Sequence, residues 1–163
     1  MPDQNSSSRN KTIATAWLIA GTLDICSAML QYFIKYDKNP VNVLTYVAKV
    51  ALGKDIAGSD LFSNSTVLAT SGLIVHYCIA LAWTIIFFWL YPKLKLQNIN
   101  KILTGILYGA FVWTMMTFVV LPLRNLAWPK LVLENSLIGC GILMIAIGMP
   151  LSFIIGNYYS KKN

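Results

Sequence analysis

Two side chains that can exchange a proton lie inside stretches of this chain that are otherwise apolar. Asp24 is the only charge in the run from residue 13 to residue 34, and His76 is the chain's only histidine. An ionisable group at the centre of an apolar span costs roughly 2.5–3.5 kcal/mol on insertion scales, so it requires a partner or a task. At helical spacing Asp24 shares a face with Ala20, Gly21, Ser27, Ala28 and Gln31, a small and polar face that should look into a bundle. Leu18, Ile25 and Phe33 lie away from it. His76 has Gly72, Ala80 and Trp83 on its own face.

Counted from the expected outer ends of their spans, Asp24 and His76 sit at depths of roughly 18 and 14 Å, at about 1.5 Å per residue. That difference is less than one turn, so antiparallel neighbours bring the two groups close enough to pair directly or through water. Tyr108, Thr114 and Thr117 of a third span are candidates for the same layer. A buried acid and imidazole can hold one proton between them, a basis for proton-linked movement or for gripping a small polar solute. The competing reading is structural, with Asp24 taking hydrogen bonds from neighbouring helices and fixing their register.

Catalysis ranks third, and the chain is expected not to be an enzyme. The spans contain no Ser-His-Asp, paired-Asp or His-Glu-x-x-His arrangement. With one histidine and no spaced ligand pair, neither a metal site nor a cofactor is expected. Cys26, Cys78 and Cys140 fall in three different spans and read as small buried residues, not as a disulfide framework.

The elements that must position these groups are legible from composition. Hydrophobic residues make up 56% of 163 positions and charged residues 12%, far from the roughly 25% charged content of soluble domains. Apolar residues concentrate in about 12–36, 67–91, 102–123 and 136–159, each long enough to cross a bilayer as a helix. The fold class expected is therefore all-α: a polytopic membrane protein with four transmembrane helices in one domain over 12–160. Residues 1–11 read as a disordered cytoplasmic tail. Residues 41–52 carry polar positions at three- and four-residue spacing and read as one short interfacial amphipathic helix.

Within the third span, Gly105 and Gly109 form a small-xxx-small face for close helix contact, either inside the bundle or as an oligomer seam. Pro150 should kink the fourth span and free carbonyls near Ala146. Tyr36, Trp89, Tyr91, Trp128, Tyr158 and Tyr159 fall near span ends and read as an aromatic belt. The loop around Pro122, Arg124, Asn125, Trp128, Pro129 and Lys130 is the second outer connection.

The formal charge is +7, and the 13 Lys and Arg lie almost wholly in loops and tails. Membrane topology accounts for them without a nucleic-acid partner. With both termini cytoplasmic, the inner side receives Arg9, Lys11, Lys93, Lys95, Lys101, Lys161 and Lys162 and the outer side Lys35, Lys38, Lys49, Lys54, Arg124 and Lys130, a weak bias by the positive-inside rule, with the inner positives in short segments and several outer ones in a longer loop. The partners expected are the lipid bilayer and a second copy of the chain, since four helices enclose little volume.

The pattern Gly21-Thr22-Leu23-Asp24, Ala28, Gln31-Tyr32, Lys38-Asn39-Pro40, His76, Gly105-Ile-Leu-Tyr-Gly109 and Phe118-Val-Val-Leu-Pro122-Leu resembles a group of bacterial four-span inner-membrane proteins, the YagU-like proteins. The likeness spans residues 12–158. It implies a bacterial plasma-membrane location and a retained first span, and it brings no catalytic assignment.

Overall fold

A computed structural model of the chain describes residues 4–123 and 133–160. Among the described residues there are five main helices and no strand: α1 (Gln4–Tyr36), α2 (Asn42–Leu52), α3 (Ser65–Lys93), α4 (Lys101–Val120) and α5 (Leu133–Ser160). Short turns at Lys54–Ala57, Asp60–Phe62 and Leu96–Asn98 join them. All but α2 are long and apolar enough to cross a bilayer, the architecture of a multi-pass membrane protein.

Local chemistry sets the helix ends. The Asn64 side chain accepts the Thr66 N–H at 2.8 Å and opens α3; Asn100 does the same for Ile102 at 2.8 Å and opens α4. Gly53, at φ 87°, closes α2 in a conformation that a side chain would strain. One expectation is corrected at the amino end. Residues 4–11, read as part of a disordered tail, are helical, because this stretch contains neither Gly nor Pro and extends α1 outward by continuation. The loop residues Arg124, Asn125, Trp128, Pro129 and Lys130 lie outside the described residues, as do Lys161 and Lys162.

Pro122, expected in the second outer connection, lies instead in a helical turn, Leu121–Leu123, and like Pro150 within α5 it follows a π-helical turn. Met116–Val120 precedes Pro122 and Met144–Gly148 precedes Pro150. Leu121 N–H reaches the Met116 carbonyl and Met149 N–H the Met144 carbonyl, each one residue further back than in an α-helix. A proline removes one donor, and the wider turn redistributes the carbonyls left nearby.

The helices pack in the order α2, α3, α1, α5, α4. Although α3 and α4 are joined by a short connection, they meet through aromatic side chains: Phe87 and Tyr108 rings lie 4.4 Å apart, Trp83 and Phe111 6.0 Å apart. The α4–α5 crossing is backbone on backbone. A Cβ at Gly109 would overlap the Met144 main chain, and one at Gly148 would overlap the Gly105 carbonyl. The Gly105/Gly109 face is thus an internal seam. Two side-chain expectations are corrected. Tyr91, read as part of the belt, is fully buried and stacks on Tyr159 with centroids 5.3 Å apart. Cys26 and Cys78 face outward, since the buried strips of α1 and α3 are set by Ala16, Ala20, His76 and Ala80.

The short helix α2 lies along the amino-terminal half of α3. A Cβ at Gly72 would collide with the Leu44 carbonyl, and Ala48 is fully buried beside Leu68. Gly72→Val should therefore lift α2 from α3. The expected result is faster amide hydrogen exchange over residues 43–52 with the remaining spans unchanged; unchanged exchange in α2 would refute this account of its docking.

Candidate proton and solute site

Small residues on α1 let it approach α3 closely. Ala16 and Ala20 are buried, and Gly21 admits the Tyr77 ring, whose Cε1 would lie 3.1 Å from an added Cβ. Polar contacts then fix the register. Trp17 Nε1–H donates to the Tyr77 carbonyl at 2.8 Å, and the Thr22 and Tyr77 hydroxyls lie 2.8 Å apart. In this register the His76 ring reaches across to α1, where Nε2–H donates to the Gly21 carbonyl at 2.8 Å.

That bond decides what the other ring nitrogen can do. With Nε2 holding a proton against a fixed acceptor, Nδ1 faces Asp24 Oδ2 at 4.0 Å. The two side chains retain 11% and 19% of their exposure. At 4.0 Å there is no direct hydrogen bond, and a bridging water or a small movement would complete one. Two charge states fit the same geometry: carboxylate with imidazolium, or carboxylic acid with an Nδ1 lone pair. They differ by the position of one proton, without rotation of the ring.

Asp24 and His76 line a cavity of about 240 Å³. Its remaining walls are apolar, from Val43 and Val47 of α2, Met116 of α4, and Leu143 and Ile147 of α5, with the Trp83 indole at one side. The volume accommodates a few waters or a small solute, each water occupying about 30 Å³ of liquid. Both π-helical turns border it, since Met116 begins one and Ile147 lies in the other. Among the described residues no cluster of three His, Cys, Asp or Glu side chains is placed to hold a metal ion.

The other expected members divide. Gln31 and Ser27 line depressions nearer the carboxyl-terminal end of α1 and do not border the Asp24 cavity. Tyr108 is buried, but its hydroxyl donates to the Trp83 carbonyl at 2.7 Å, so it joins α4 to α3 and does not reach the acid. Thr114 is exposed, its hydroxyl turned back to the Ala110 carbonyl at 2.9 Å. The reason is geometric. The inner face of α4 is set by Gly105, Gly109 and Val112, and Thr114 is five residues from Gly109, about 140° round the helix. Ile25, placed away from the acid by spacing alone, is buried and lines the same cavity.

The tertiary arrangement adds residues that the sequence reading did not assign to the site. Val43 and Val47 border the cavity because α2 packs alongside α3. Trp17 and Tyr77 set the register. The available signal was Gly72, one turn before His76 and the only glycine in α3, which marks a close helix approach. Compared with protein-family models, curated proteins and solved structures, the chain matches none.

Proposed function

We propose that this chain binds or moves a small polar solute, or the proton itself, across a membrane, with Asp24 and His76 as the working pair. The observation that carries the reading is the division of labour on the imidazole. Nε2 is committed to the Gly21 carbonyl while Nδ1 faces a carboxyl oxygen in a small cavity. A proton exchanged between Nδ1 and Oδ2 changes the charges inside that cavity while the ring stays anchored, which is what coupling of solute to proton requires. Ala28 and Val43 line both this cavity and a wider depression between α1, α2 and α5. Toward the other side the core is closed by Phe87, Tyr108, Val112 and Leu151, so passage requires helix movement. The π-helical turns bordering the cavity are where α4 and α5 can re-register.

On this reading the chain is a multi-pass protein of the bacterial inner membrane with both termini cytoplasmic, works with the bilayer and as a homo-oligomer, and performs no catalysis. The likeness to YagU-like proteins is part of the same proposal. The test uses purified protein in liposomes loaded with a pH-sensitive dye. After an external pH jump, wild type should carry proton-linked flux, and Asp24→Asn should reduce it to the level of protein-free liposomes while keeping the helical circular-dichroism spectrum.

A non-transporting structural or regulatory component is the second reading. It draws on the His76–Gly21 bond, which ties α3 to the α1 backbone. No flux from wild type, together with a lowered thermal midpoint in Asp24→Asn, would favour it.

A further inference from the structure

Outside the Asp24 cavity, α1, α2 and the start of α5 enclose an open wedge of about 960 Å³. Three lysines line it, Lys35 and Lys38 from the end of α1 and the loop after it, and Lys49 from α2. Among the described residues none of the three makes an ion pair, and the wedge lining contains no carboxylate. Asn42, Tyr46 and Asn135 add hydrogen-bonding groups to the same walls. Three ammonium groups around one recess form a receptor for an anion.

A second depression, of about 550 Å³, runs beside it between α1 and α5. Its walls are Leu30, Ile34, Ile138 and Ile142, with Glu134 its single carboxylate. Leu30 and Ile34 are 58% and 74% exposed, on a helix long enough to span a bilayer, so this trough faces hydrocarbon. Gln31 and Lys35 line both depressions. Lys35 Nζ donates to Asn135 Oδ1 and lies 5.6 Å from the Tyr36 ring centroid, which holds the ammonium group at the junction of α1 and α5. A basic chamber opening into an apolar trough, with a cation at the junction, has the shape and charge of one kind of molecule.

We infer that this composite site binds an anionic phospholipid, its phosphate among Lys35, Lys38 and Lys49 and one acyl chain along Leu30, Ile34, Ile138 and Ile142. The trough alone would accept any lipid; the three lysines discriminate by headgroup charge. The lipid stands outside the Asp24–His76 cavity and acts as a wedge that fixes α2 and α5 against α1. Its binding does not depend on proton exchange at Asp24.

Native mass spectrometry of the delipidated full chain in detergent, offered equimolar phosphatidylglycerol and phosphatidylcholine of the same chains, tests this. Phosphatidylglycerol should be retained over phosphatidylcholine by about tenfold or more, and should raise the thermal midpoint where phosphatidylcholine does not. The triple variant Lys35→Gln/Lys38→Gln/Lys49→Gln should lose the preference while keeping the wild-type midpoint in phosphatidylcholine. Ile138→Trp, which fills the trough, should weaken retention of both lipids. Equal retention of the two lipids by wild type, or a preference that survives the triple variant, overturns the inference. So does a midpoint raised equally by inorganic phosphate alone, which would make the wedge a free-anion site. Asp24→Asn should keep the lipid preference, so failure here and failure of the proton reading are separately visible.

Discussion

Gly109→Val destabilises the folded bundle by about 3 kcal/mol or more, while Gly141→Ala leaves it unchanged or slightly stabilised. Both glycines lie in apolar spans, and sequence position does not distinguish them. At Gly109 an added Cβ meets the main chain of Leu143 and Met144, atoms that cannot rotate aside, so α4 and α5 must separate along their whole contact. Overpacking a closed site typically costs 1–3 kcal/mol, and the upper end applies where backbone is the obstacle. At Gly141 nothing lies within 4 Å of an added Cβ. There the change only removes a flexible residue from a helix interior, worth up to about 1 kcal/mol in favour of alanine. Unfolding in a mixed-detergent titration measures both. Equal and small effects at the two sites would refute the backbone contact between α4 and α5.

His76→Leu is the second large effect, and it should be partly reversed by a further change at Asp24. Removing the imidazole leaves Asp24 without its partner in a cavity whose other walls are apolar. Breaking a buried pair by deleting one member costs about 3–5 kcal/mol, and the low end is expected because the side chains keep 11% and 19% of their exposure. Adding Asp24→Leu removes the stranded carboxyl and fills the cavity with matching surface. The double variant should then regain about 2 kcal/mol relative to His76→Leu alone. The same titration, arranged as a double-mutant cycle, reads the coupling directly. Additive losses would mean that acid and imidazole do not interact, and the proposed working pair would fall with them.

The two results bear on different layers of the molecule. The glycine seam holds α4 to α5 whatever the protein does, whereas the Asp24–His76 pair is a destabilising feature that a purely apolar bundle would lack. A chain that retains such a pair gives up stability at that point, and proton exchange is the use of it that we propose.

Much of the architecture follows from the order of residues alone. Spans of about twenty apolar positions must become helices in hydrocarbon, because no other single segment satisfies its own backbone there. Asn64 and Asn100 open helices, Gly53 closes one, and the proline at 150 marks a backbone irregularity, all through local chemistry that needs no distant partner. The shared depth of Asp24 and His76 was legible for the same reason: rise per residue is fixed, so counting from the span ends locates both.

Rotation and neighbour choice were not legible in this way. Each span is apolar on nearly every face, so hydrophobic periodicity carries almost no signal about which side turns inward. Thr114 and Tyr108 were placed at a suitable level, yet one faces outward and the other reaches Trp83, because the backbone seam at Gly105, Gly109 and Gly148 sets how α4 is turned. Likewise the amphipathic pattern of α2 did not name its neighbour, and the fit of the Leu44 carbonyl against Gly72 brings Val43 and Val47 to the cavity. The sequence by itself determined the number of spans, the ends of several helices and the level of the buried acid, all of which depend on local geometry. Tertiary structure decided which groups meet at that level, because helix rotation is settled by where one backbone can approach another.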